Sequence, residues 1–138
     1  MTQKPVTIRK EDPAAAARFL RIADELRRSA VDNNINHRWT AATTDAIRAG
    51  IRAADAVLIY RRGFRSNSPR HADVVELLRR EFGAEVEQEA SSLMRLISQK
   101  HQFDYEGRMA TEREGTDAAR RANELYSWAQ GIVERPLA

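Results

Sequence analysis

The chain has no cysteine in its 138 residues, which excludes a disulfide framework, a thiolate zinc site and a cysteine nucleophile. No stretch approaches the roughly 18 apolar residues that a membrane span requires, and the segment from Met1 to Lys10 has no apolar core of signal-peptide length. A soluble, cytoplasmic protein with no membrane association is expected. No glycine-rich phosphate loop ending in Lys-Ser/Thr occurs, nor a dinucleotide-binding glycine fingerprint, nor a nucleophile-elbow serine. None of His37, His71 and His101 follows a glutamate at the Glu-x-x-His spacing that places two ligands on one helix face. No metal and no cofactor are expected. Lysine is scarce as well: only three of the 23 basic residues are lysine and twenty are arginine. Genomic base composition is one account of that bias. Phosphate recognition is the other, because a planar guanidinium grips phosphate with two parallel hydrogen bonds and an ammonium does not. A net charge of +3 does not separate them.

What is present is helical. Hydrophobic residues make up 42% and charged residues 31%, a balance suited to a small all-helical domain with much polar surface. At 138 residues the chain fits one domain with a real core. Asp12-Pro13 reads as an N-cap followed by a first-turn proline, and Ala16, Phe19, Leu20, Ala23, Leu26 and Ala30 recur at the three- and four-residue spacing of one buried face. A second helix is expected from about Trp39 to Arg62, stopped at Gly63. Its inner face is small (Ala42, Ala46, Gly50, Ala53, then Val57), which lets neighbouring helices approach closely and marks it as central. A third helix is expected from Pro69 to Phe82, with Ser68 as its cap, and a fourth from Ala84 to Lys100. The segment from Gln102 to Ala110 breaks the pattern. Thr111 and Glu114 then form a capping box for a last helix carrying Ala118, Ala122, Leu125, Ala129 and Ile132. No segment alternates as a strand does, and no internal repeat or low-complexity tract appears. The expected fold is all-α: a single antiparallel bundle of about five helices over residues 12–138, with residues 1–11 as a flexible tail.

Chemistry-bearing side chains crowd in two places. The run from Arg95 to Tyr105 holds Arg95, Lys100, His101, Asp104 and Tyr105 at the end of the fourth helix. Arg95 and His101 are six positions apart, about 120° from a shared helical face, and converge only if the helix frays at Lys100. A solvated helix end is the plain alternative. The second cluster, Arg61, Arg62, Arg65 and Arg70 with Phe64 interleaved, suits phosphate binding with the ring stacked on a base. Alternatively Arg61 and Arg62 merely complement the end of the second helix dipole. His37 reads as a solvated polar side chain near a helix start, and His71 as a residue that opens the third helix and caps or packs against the preceding loop.

The order of these elements resembles the HEPN superfamily, small helical bundles of prokaryotic toxin–antitoxin and defence systems. The resemblance rests on the alanine-rich helix from Asp45 to Gly63, on Arg70 to Leu78, and on Leu96 to Tyr105 before the last helix. It covers about residues 13–134. It implies a homodimer, and RNA, a nucleotide or a partner protein such as a cognate antitoxin as binding partners. Catalytic members are metal-independent RNases marked by an arginine, four to six residues, then a histidine. Arg95 and His101 meet that count, although the usually polar position after the arginine is Leu96. There the arginine would hold the scissile phosphate and the histidine would move the proton. The Asp104-Tyr105 pair instead sets a register in which Lys100 takes the arginine position and Tyr105 falls near the histidine, so that the catalytic pair is missing. That second register is preferred here, and with it a binding or accessory protein with a degenerate site. An active RNase using Arg95 and His101, and a purely structural helical subunit, are the alternatives. Trp39, Tyr60, Tyr126 and Trp128 cannot all enter the assigned core stripes and add a hint of an interface.

Overall fold

The computed structural model describes residues 6–134. Its helices are α1 (Ala16–Ile35), α2 (Trp39–Arg62), α3 (Ala72–Phe82), α4 (Glu87–Glu106) and α5 (Glu112–Val133), with single 3-10 turns at Pro13–Ala15 and Gly83–Val86. Two short strands, β1 (Ile8–Lys10) and β2 (Phe64–Ser66), complete the fold. The all-α class and the helical bundle expected from the sequence are present.

Helix α2 organises the rest. All seven residues from Ala53 to Ile59 are buried, because α1, α5, α4, α3 and β2 pack around it. A helix surrounded in this way has no room for a broad polar face, which is why alanine dominates it. At Gly50 an added Cβ would lie 2.8 Å from Leu93 Cδ1 and 3.1 Å from Leu125 Cδ1, so α4 and α5 close over α2 there. At Gly115, near the start of α5, an added Cβ would lie 2.8 Å from Trp39 Cβ and 3.1 Å from its Cα. The ends are set locally. Asp12 Oδ1 accepts the Ala14 N–H at 2.9 Å, Gly63 leaves α2 in the left-handed conformation with φ of 73°, and the Thr111–Glu114 capping box is complete.

Four expectations are corrected. The absence of any strand does not hold: β1 and β2 pair antiparallel, with Arg9 opposite Arg65, and hydrogen bonds from Glu11 N–H to Gly63 O and from Asn67 N–H to Thr7 O, both 2.9 Å, flank the ribbon. Three residues per strand are too few to show alternation, and the pairing spans more than fifty residues. Part of the expected tail is therefore structured, with residues 8–10 forming β1; residues 1–5 lie outside the described residues, as do 135–138 at the other end of the expected bundle. Helix α3 begins at Ala72 rather than Pro69, because the Ser68 hydroxyl accepts the Arg70 N–H at 3.1 Å and donates to Asp73 Oδ2, a serine turn that delays the helix. Helix α4 starts at Glu87 and does not end at Lys100. Nothing between Lys100 and Glu106 breaks a helix, Phe103 is buried, and Gly107 in the left-handed conformation closes α4 instead.

The four aromatics left over for an interface are all half-buried on their own chain. Tyr60, Tyr126 and Trp128 pack against the core, and Arg27 lies 4.5 Å above the Tyr126 ring. Among the described residues no helix is long and apolar enough to cross a membrane.

The two helix crossings respond differently to a methyl group. The leucine methyls around Gly50 can rotate aside, and alanine gains about 1 kcal/mol in helix propensity over glycine, so Gly50→Ala is expected to melt near the parent. Gly115→Ala drives a methyl onto the Trp39 backbone and is expected to cost about 1–3 kcal/mol, as is Gly50→Leu through overpacking. Urea denaturation of the three variants measures the order; equal midpoints for Gly50→Ala and Gly115→Ala would contradict the close α2–α5 crossing.

Candidate anion-binding site

Midway along α2 the alanines are interrupted by Arg48, Arg52 and Asp55. Their spacing of four and three residues sets them on one helical face. That face forms one wall of a cavity of about 630 Å³. Arg65 and Ser66 of β2, with Ser68, Arg70 and His71 of the following loop, form the opposite wall. Lys100 of α4 closes one side, and Ile22 and Leu26 of α1, Ile51 of α2 and Val74 of α3 supply the apolar part. Five cations from α2, β2, the loop before α3 and α4 thus face one space containing a single carboxylate.

That carboxylate is buried, with Asp55 3% exposed. It accepts a hydrogen bond from Arg52 Nη1 at 3.1 Å. Its pKa is nevertheless raised from 3.8 to about 6, because loss of solvation outweighs the pull of Arg52 and Arg65, with a small further push from Glu11. Arg65 is shared outward, donating from Nε to Glu11 Oε1 at 3.1 Å. Both Arg52 and Arg65 sit 5.4 Å from the centre of the Phe19 ring, whose face supports the two cations. His71 is held below its ordinary pKa of 6.5, first by burial and then by the positive charge of Lys100, Arg48 and Arg52. Its imidazole is therefore neutral at pH 7, with one donor and one acceptor nitrogen. Arg48 and Arg70 make no ion pair or side-chain hydrogen bond among the described residues, while Lys100 reaches Asp104 only at 4.0 Å. Cations without a protein partner at a concave surface are available for charge-assisted hydrogen bonds to an anion.

The residues singled out from the sequence are divided by the fold. Lys100, Arg65 and Arg70 meet in the cavity. Arg61 and Arg62 turn away, bonded at 3.0 Å to Glu85 and Glu81, and Arg62 lies 4.7 Å above Phe82. Phe64 packs against the core rather than standing free to stack on a base. Because α4 continues past Lys100, Arg95 and His101 stay on different faces. Arg95 borders a separate shallow groove with Arg79 and Arg121, whereas the His101 ring stacks on Tyr105 at 4.5 Å. Tyr105 is 80% exposed, and Asp104 is also on the surface. The sequence reading passed over Arg48, Arg52, Asp55 and Ser66, and took Ser68 as a helix cap and His71 as structural. Its missed signal was the i, i+4, i+7 charged stripe on an otherwise alanine-rich helix.

Among the described residues no cluster of three or more His, Asp or Glu side chains is placed to hold a metal ion. Neither a family model, a curated protein nor a solved structure matches this chain.

The raised pKa of Asp55 has a definite sign. The folded protein holds this proton more tightly than the unfolded chain, so the associated stability is complete below pH 3.8 and is lost as pH rises through about 6. Asp55→Asn removes the burial of a charge and is expected to stabilise by on the order of 2–3 kcal/mol at pH 8, with no gain near pH 4. Thermal melts of both proteins between pH 4 and 8 check this; a gain that does not grow with pH would contradict the assignment.

Proposed function

We propose that this chain is a HEPN-like accessory protein that binds a phosphate-bearing ligand, of the nucleotide or nucleic-acid kind, in the cavity between α2, β2 and α4, without cleaving it. The observation that carries the proposal is the convergence of Arg48, Arg52, Arg65, Arg70 and Lys100 on one concave space. Guanidinium forks match phosphate oxygens, and a neutral His71 with the Ser66 and Ser68 hydroxyls adds donors without adding charge. Lys100 is the residue that the Asp104-Tyr105 register sets at the family's arginine position, and it is the α4 side chain that faces this cavity. The separation of Arg95 from His101 favours binding over cleavage.

Binding is tested with labelled adenosine triphosphate and a labelled uridine dodecamer, and cleavage with total RNA in EDTA. At least one labelled probe is expected to bind, and the RNA to stay intact. Lys100→Ala and Arg70→Ala are expected to lose about tenfold or more in affinity, the worth of one charge-assisted hydrogen bond. Arg95→Ala and His101→Ala are expected to bind as the parent does. Metal-free cleavage abolished by His101→Ala or His71→Ala would replace this reading with a nuclease. The family resemblance also supports a homodimer, for which light scattering at tens of micromolar should report twice the 15.7 kDa of one chain.

A further inference from the structure

The distribution of charge narrows the ligand. The cavity lining holds five cations and one carboxylate with His71 neutral; once Glu11, which pairs with Arg65, is included, the local charge is +3, equal to the +3 of the entire chain. Everything outside this cluster therefore sums to zero. Arginines elsewhere are largely satisfied internally: Arg61, Arg62, Arg79, Arg108, Arg120 and Arg121 each lie within 3.0 Å of a carboxylate. A protein that tracks a nucleic-acid strand spreads its cations along the path of the phosphates, at about one contact per neutralised phosphate. Here the excess charge is gathered at one point.

The shape agrees. A cavity of about 630 Å³ has the dimensions of a small-molecule site. Its cations approach from α2 on one side and from β2, the loop and α4 on the others. A single monoanionic phosphodiester would leave most of them unpaired, whereas several phosphoryl groups joined in one small molecule would engage them together.

We infer that the cavity is a site for a compact polyanion, a chain of two or more directly linked phosphoryl groups, rather than for a run of nucleic-acid backbone. This rests on the phosphate-binding reading above and selects one ligand class within it. Both a bare inorganic polyphosphate and the tail of a nucleoside triphosphate offer this chemistry; only the second has a group for the apolar wall of Ile22, Leu26, Ile51 and Val74.

Calorimetric titration of the full chain at fixed salt separates the cases, with orthophosphate, tripolyphosphate, adenosine triphosphate and a uridine dodecamer as probes. Tripolyphosphate is expected to bind at least about a hundred-fold more tightly than orthophosphate, since it adds several charge-assisted contacts, and more tightly than the dodecamer. Arg48→Ala and Arg70→Ala should each weaken it at least about tenfold. Both side chains lack partners in the described chain, so these variants keep the fold, as thermal melts will record. Arg61→Ala should leave it unchanged. Adenosine triphosphate binding more tightly than tripolyphosphate assigns the nucleotide source, and equal binding assigns the bare polyphosphate; either supports the inference. A dodecamer that binds more tightly than tripolyphosphate and responds to the same variants would overturn the polyanion assignment and leave phosphate binding standing. Absence of binding by every probe would overturn both.

Discussion

Between Ala53 and Ile59 every side chain of α2 is buried, and that burial constrains the rest of the molecule. A helix enclosed on all sides must be built from small residues, or the helices around it cannot reach packing distance. One residue in the enclosed stretch breaks the rule. Asp55 adds a carboxylate that the interior solvates poorly, and its raised pKa, about 6, records that cost. Arg52 comes from the same face one turn earlier, and Arg65 comes from β2 directly after the helix ends. The buried carboxylate and the cations gathered beside it are thus parts of one arrangement. Removing the charge relieves the core, whereas keeping it holds the Arg52 guanidinium at the edge of a cavity. The second is what a binding site requires, and burial energy alone gives no reason to retain Asp55.

The arginine bias acquires a partial physical account from the same geometry. On the surface the guanidiniums pair with neighbouring carboxylates, many at helical i, i+3 or i, i+4 spacing, as Arg120 does with Asp117 and Glu124. Such exposed pairs contribute little stability each. In the cavity Arg52 and Arg65 are paired as well, but Arg48 and Arg70 face open space with no carboxylate partner among the described residues. One composition therefore serves two environments, and only the fold separates the paired arginines from the unpaired ones.

What was legible in the sequence was local. The α2 limits at Trp39 and Arg62, the Asp12-Pro13 start and the Thr111–Glu114 box each depend on residues within a few positions of one another, and each appears where the pattern placed it. The ribbon was not legible because Ile8–Lys10 and Phe64–Ser66 recognise each other only after α1 and α2 have turned the chain back. The end of α4 was misplaced because a dense run of polar residues resembles a loop, although one buried aromatic, Phe103, suffices to continue the helix. The site was half legible. Lys100, Arg65 and Arg70 were identified as binding candidates, but the stripe of Arg48, Arg52 and Asp55 was eclipsed by the alanine face of the same helix. Functional residues on a structural helix are hard to see when the core pattern is the stronger signal.

The β1–β2 ribbon gives the cavity a wall with a different lifetime from the rest. All three residues of β1 are exposed, and a strand that short, paired on one side, opens at far lower free energy than a packed helix. Arg65 stands on the strand that β1 holds, and Glu11 at the end of β1 anchors its guanidinium. Local fraying of β1 therefore releases one cavity cation from its tether while α2 keeps Arg48 and Arg52 in place. The molecule thus joins a rigid half-site to a breathing one.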